Sequence, residues 1–231
     1  MEAERIKTEY TTREAERRNV IYGILRRSNQ LVVHGIERAL FNAFRRVGWL
    51  DLGSCRFLDV GCGTGGTLLR WIQWGASPEN CYGIDLVPHR LEQAKQRLPE
   101  AVHLFNGDAS GLPFPDHTFD VTSQMVVLSS VLDDGMQEAI CREMIRVTRP
   151  AGIILSYDFW LNPTNPATRG VRMARLRELF PGCSFYTQRI TLAPPIVRRL
   201  ASFSPLLCRG LEGLKLLNTH YLVLIKPPQK S

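Results

Sequence analysis

The chain has 231 residues, 44% of them apolar and 22% charged, with a formal net charge of +7. That supplies a core for one α/β domain with additions and excludes disordered and fibrous classes. No stretch approaches the roughly 18 apolar residues of a membrane span, and the charged start Met1-Glu2-Ala3-Glu4-Arg5 has no apolar run behind it, so the expectation is a soluble cytoplasmic protein.

The elements alternate along the chain. Residues 10–48 carry an amphipathic pattern in Val20, Ile24, Leu31, Ile36, Leu40 and Phe44, flanked by Arg17, Arg18, Arg26 and Arg27, which predicts a helical cap. The expected division is therefore a cap over residues 1–50 and a main domain over residues 51–231. Apolar strands follow at Phe57–Val60, Cys81–Ile84, Val102–Phe105, Phe119–Gln124 and Ile153–Tyr157, with helical patterns between them. This alternation predicts a doubly wound, mostly parallel sheet.

In the last intervening helix Asp133 or Asp134 is placed to cap, Met136, Ile140, Met144 and Val147 recur at helical spacing, and Pro150 ends the run. Beyond it the pattern predicts a helix over Thr168–Phe180 and strands over Ser184–Leu192 and Thr219–Ile225. Between those strands, residues 194–217 carry an apolar stripe broken by Pro205, read as two short helices. Six dispersed cysteines, at 55, 62, 81, 141, 183 and 208, lack C-x-x-C spacing, so buried thiols are expected and metal sites are not.

The most specific feature is Asp59-Val60-Gly61-Cys62-Gly63-Thr64-Gly65, where a strand runs into alternating glycines before a helix over about Gly66–Trp74. Glycines admit positive φ and let a ligand approach the backbone, and a helix start favours an anionic group. By spacing alone Gly61, Gly63 and Gly66 also satisfy the dinucleotide pattern G-x-G-x-x-G, and Asp85 lies at the ribose-acid distance that both cofactor classes use.

The neighbours discriminate. Asp59 before the glycines resembles D-x-G-x-G-x-G, motif I of the class I S-adenosylmethionine-dependent methyltransferases. Gly107-Asp108-Ala109, Leu112-Pro113-Phe114 and Asp116-His117-Thr118-Phe119-Asp120-Val121 are similar to that family's D-A-x-x-L-P-F-x-D-x-x-F-D string. Arg146-Val147 and Arg149-Pro150-Ala151-Gly152 resemble its R-V-L-K-P-G-G segment, with Ala151 in place of a glycine. The likeness spans roughly residues 55–160 and points to the small-molecule, type 11-like members. It implies a Rossmann-like seven-stranded sheet with an antiparallel last strand, and S-adenosyl-L-methionine as cofactor.

Carried over residue by residue, the resemblance implies that Asp59 and the Gly61, Cys62, Gly63, Thr64, Gly65 turn face the methionyl part. Asp85 then takes the ribose, Leu86 covers the adenine, Asp108 accepts from the adenine amine with Ala109 beside it, and Gln124 is a further contact. Cys62 itself reads as structural. The competing reading is that Asp59 and Asp108 brace turns and that Gln124 is a polar strand end.

Val127-Leu128-Ser129-Ser130 stands where relatives carry a histidine, leaving the general base open. Asp158 at the end of the fifth strand is the first candidate, because ligands gather at carboxyl ends of strands. His34 in the cap, beside Tyr22, is the second. No metal ligands cluster.

Lys and Arg exceed Asp and Glu by four in residues 1–50 and by nine in residues 163–231, whereas residues 51–162 carry net −6. Basic additions around an acidic core suggest a small anionic acceptor, a uronic acid, phosphorylated sugar or organic acid, methylated on oxygen. Solvated helix faces compete with that reading, especially for Arg169, Arg172 and Arg175. Nucleic acid is disfavoured for want of a binding module.

Residues 194–217, where Arg198, Arg199, Arg209 and Lys215 flank the apolar stripe, read first as a lid and second as a peripheral membrane contact serving a lipid-linked acceptor. An NAD-dependent oxidoreductase and a silent S-adenosylmethionine-binding protein are the alternatives from other classes. Oligomeric state is not written in the sequence.

Overall fold

A computed structural model describes residues 1–15, 25–161, 165 and 167–228. Two helices, α1 (Glu2–Ala15) and α2 (Arg27–Arg46), precede the first strand. The sheet runs β1 (Phe57–Val60), β2 (Cys81–Asp85), β3 (His103–Asn106), β4 (Phe119–Met125), β5 (Thr148–Phe159), β6 (Ser184–Leu192) and β7 (Asn218–Lys226). Interleaved are α3 (Gly66–Gln73), α4 (Pro88–Lys95), α5 (Asp134–Val147), α6 (Met173–Leu179), α7 (Pro194–Leu200) and α8 (Pro205–Leu214).

The strand order is β3-β2-β1-β4-β5-β7-β6. β1 through β5 pair in parallel, and β7 runs antiparallel to both β5 and β6. The order reverses between β1 and β4, the position where open α/β sheets bind ligands beyond the carboxyl ends of their strands. The seven-stranded, Rossmann-like architecture expected from the sequence is the one observed.

Alternate side chains of each strand bury on opposite faces, as covered parallel strands require. Phe57, Val121, Leu155 and Leu222 pack with Leu40, Phe44 and Trp71 on one side, whereas Leu58, Val60, Ile154 and Val223 pack with Ile140, Met144 and Leu176 on the other. Trp71 is fully buried and packs edge-on against Phe44 at 5.5 Å between centroids, which seats α2 against α3. Asp133 caps α5 by accepting from the Met136 amide at 2.7 Å.

Several elements differ from the sequence reading. α1 begins at Glu2, within the expected cap but ahead of the amphipathic pattern that starts at residue 10, because Ile6 and Tyr10 stand four residues apart and join the core cluster that holds Val131 and Val127. α2 lies on β6, β7 and α8. Val20, Ile24, Arg17, Arg18 and Tyr22 lie outside the described residues.

The helix expected from Thr168 starts only at Met173, because the Arg169 amide bonds the Ser129 carbonyl and the Val171 amide bonds the Phe159 carbonyl. Two of its arginines do not simply face water. Arg169 pairs with Asp134, and Arg175 pairs with Glu138 at 3.1 Å and Glu178 at 3.3 Å, clamping α6 to α5. Pro150 sits within β5, and α5 already ends at Val147.

Candidate active site

A cavity opens at the switch point, enclosing about 670 Å3 of space that includes its open mouth. Its floor is Val60 and Gly61 from β1, Ile84, Asp85 and Leu86 from β2, and Gly107, Asp108 and Ala109 after β3. Its far wall is Val127, Ser130, Val131, Met136 and Ile140, and α1 roofs it with Ile6 and Tyr10.

The glycine turn owes its shape to φ values of +68 at Gly61 and +54 at Gly63, which other residues seldom adopt. A Cβ on Gly61 would come within 2.4 Å of a Val127 methyl, and one on Gly63 within 2.4 Å of the Arg90 guanidinium. The Gly61 and Cys62 amides bond the Ile84 carbonyl at 2.8 and 3.1 Å, and the Gly63 amide donates to Asp85 Oδ2 at 2.7 Å. Gly65 plays a different part, since a Cβ there would meet Leu98 at 2.6 Å, so its bareness admits the chain that follows α4.

Asp85 is 5% exposed and holds its own loops as well as lining the cavity: Oδ1 accepts from the Val87 amide at 2.9 Å. The Arg90 guanidinium stands 3.9 Å from Oδ2 and lies over the Tyr10 ring at 4.7 Å, which joins α1 to Asp85. α1 is moored beside it. The Glu2 carboxylate accepts from the Leu132 amide at 2.7 Å, Arg5 donates to the Ser130 carbonyl at 2.6 Å, and the Tyr10 and Ser130 hydroxyls lie 3.1 Å apart. Its hydrogen bond from Arg5 holds Glu2 well below the usual carboxylate range, at about 2.

Two other carboxylates are buried beside the cavity without lining it. Asp59 accepts from the Ser123 hydroxyl at 2.7 Å, tying β1 to β4, and burial pushes it up to about 7. Asp158 on β5 accepts from the Gln124 amide group at 3.1 Å and the Ser129 amide at 3.4 Å, and burial pushes it likewise to about 7. Gln124 also donates to Ser156 at 2.7 Å and accepts from the Val127 amide at 2.9 Å, so it fixes the turn that carries Val127 over the glycine loop.

Of the residues singled out from sequence, the structure brings Gly61, Asp85, Leu86, Asp108 and Ala109 together around one cavity. Asp108 meanwhile braces its own turn, accepting from the Ser110 amide at 2.8 Å. Asp59, Gly63, Thr64, Gly65, Gln124 and Asp158 stand behind or beside it. The Thr64 hydroxyl accepts from Arg97 at 2.9 Å. The Cys62 thiol packs toward Gly83 with its pKa raised by burial, a structural position.

His34 is exposed on α2 and does not line the cavity. Ile6, Tyr10 and Arg90 carry no site signal in the sequence, and Val127 stands out there only as part of the segment that lacks a histidine. For the first two, the i, i+4 apolar pair in α1 was the available signal, one of packing.

The residues present suit an adenosyl cofactor. Two carboxylates end adjacent strands, apolar Leu86, Ala109, Val127 and Ile140 line the space between, and the glycine turn is shaped so that a Cβ on Gly61 or Gly63 would intrude. Residues 58–156 match a family model described as a methyltransferase domain.

The chain is 32% identical over 114 residues to a tRNA N(3)-cytidine methyltransferase METTL2 of Gallus gallus, covering 46% of this chain and 30% of the relative. It is 40% identical over 108 residues to norajmaline N-methyltransferase of Rauvolfia serpentina, covering 43% and 35%. It thus spans well under half the length of these curated relatives. The fold superposes on a Burkholderia thailandensis 1,6-didemethyltoxoflavin-N1-methyltransferase solved with its substrate and S-adenosylhomocysteine, with TM-score 0.65, 17% identity, and 99% of this chain and 89% of that one covered. Residues 58–156 are therefore similar to a methyltransferase domain, within a fold shared with a methyltransferase solved with S-adenosylhomocysteine.

Proposed function

We propose that this protein transfers a methyl group from S-adenosylmethionine to a small organic acceptor. The observation that carries the reading is Asp85, Asp108 and the Gly61 turn on one cavity, at the carboxyl ends of the neighbouring strands β2, β3 and β1. The cofactor supplies an electrophilic methyl on a sulfonium, so the chain's work is positioning, worth on the order of 7–11 kcal/mol against roughly 3–5 for a general base. Asp85 would hold the ribose, Leu86 and Ala109 the adenine with Asp108, and the Gly61–Gly65 turn the methionyl end. α1, through Ile6 and Tyr10, excludes water.

Among the described residues lining the cavity there is no histidine, lysine or glutamate, and its two aspartates are assigned to the cofactor. Asp158 and His34 do not reach it. This supports an acceptor that is nucleophilic without losing a proton, of which a carboxylate oxygen matches the anionic, oxygen-centred expectation. The tRNA and norajmaline enzymes match less than half of this chain, so their acceptors are not carried over.

Titration with S-adenosylhomocysteine and NAD, followed by a labelled-methyl screen of organic acids, amines and tRNA, tests this. Binding of the first ligand alone and labelling of an organic acid, with a rate flat between pH 6 and 9 as about expected without a titrating base, is the predicted result. NAD binding, or cofactor binding with no labelled product, would replace it with the oxidoreductase or the silent binder.

A further inference from the structure

The α7–α8 hairpin turns an apolar side outward. By helical geometry of about 3.6 residues per turn, Leu206, Leu207, Gly210, Gly213 and Leu214 share one arc of α8, and all are exposed. Cys208 is buried on the opposite side, against Leu192, Val197 and Leu31. Phe203 at 87% and Leu206 at 76% exposure head a run that continues through Leu216 at 75%. Soluble monomers rarely leave so large an apolar patch uncovered.

The charge around the patch selects the partner. Arg199, Arg209 and Lys215 are exposed among these side chains, with Arg198 on the same hairpin. Glu212, its one acidic residue, turns inward to the Thr191 amide at 3.2 Å and Arg38 at 3.1 Å. An apolar face rimmed by cations and clear of exposed carboxylates matches a bilayer interface bearing anionic headgroups. The hairpin also leaves the sheet after Leu192 and returns at Asn218, beside Phe159 where β5 ends, so it stands at the carboxyl end of the strands, where the cavity opens.

We infer that the α7–α8 hairpin docks this protein on anionic membrane surfaces, with the Phe203–Leu217 side chains in the headgroup region and the cations against phosphates. The inference is independent of which acceptor is methylated. The test is flotation of the full chain with vesicles of phosphatidylcholine alone or with phosphatidylglycerol added, at low and high salt. Flotation with the anionic vesicles, reduced by salt, is expected.

The paired variants Leu206→Ser/Leu214→Ser and Arg209→Glu/Lys215→Glu should each weaken it roughly tenfold while leaving the far-ultraviolet spectrum unchanged. Absence of flotation, or unaltered flotation of both folded variants, overturns the proposal. A dimer by light scattering that the Leu206→Ser/Leu214→Ser variant converts to monomer assigns the face to a second copy instead and overturns it equally.

Discussion

Replacing Asp85 separates cofactor binding from the scaffold. The carboxylate bonds two backbone amides, Gly63 at 2.7 Å and Val87 at 2.9 Å, while facing the cavity. Alanine leaves both amides without their acceptor, each costing about 1–3 kcal/mol, so a fall in melting temperature is expected whatever the ligand does. Cofactor loss is additional: one or two charge-assisted bonds to a ribose diol, at about 1.5–3 kcal/mol each, correspond to roughly 10-fold to above 1,000-fold in Kd.

Calorimetric titration with S-adenosylhomocysteine, well below the melting transition, reads the second effect alone. Arg90→Met is the matched comparison, because it keeps the carboxylate and both amide bonds and removes only the guanidinium 3.9 Å away. It should tighten binding several-fold by relieving Asp85 of a competing partner. A folded Asp85→Ala protein whose Kd stays within about threefold of wild type would refute the assignment of this cavity to the cofactor.

Gly61→Ala should abolish detectable cofactor binding, since it strains a φ of +68 and sets a methyl 2.4 Å from Val127. Adding Val127→Ala should recover stability but not full affinity, as measured by thermal unfolding and titration. Asp158→Asn should flatten the pH dependence of stability. With a folded pKa of about 7 above the ordinary 3.8, the native state holds the proton longer than the unfolded one, so wild type loses up to about 4 kcal/mol as pH rises from about 4 to 7. Unfolding scans at pH 5 and 8 that give the variant the same slope as wild type would contradict that.

The strands and the two aspartates that line the cavity, Asp85 and Asp108, were legible because they depend on local pattern: apolar runs between turns, and acids at fixed distance from the glycines. What was not legible depends on reach. Arg90 belongs to α4, and only its long side chain brings it back over Gly63 and Asp85. Tyr10 meets it from more than 70 residues upstream. The arginines near residue 170 read as a free stripe because their carboxylate partners Asp134 and Glu138 lie on a different helix, and α6 was overextended because Arg169 and Val171 bond strand and turn carbonyls that no local pattern announces.

These distant partners set how the cofactor would be bound. Asp85 is already engaged by its own chain, with two amides and a guanidinium 3.9 Å away, so a ribose that displaces the guanidinium gains only the difference between its bonds and that contact. The two amides need not be given up, because a carboxylate accepts about four hydrogen bonds. Arg90 is the partner that must yield, and it is held by the Tyr10 ring of α1. Affinity is therefore coupled to the mooring of α1 through Glu2, Arg5 and Tyr10 on the Ser130–Leu132 turn. That same turn is held by the Gln124–Asp158 network under the sheet end. The buried Asp158, a candidate base by sequence, thus stands outside the cavity lining and holds the turn that forms the cavity wall.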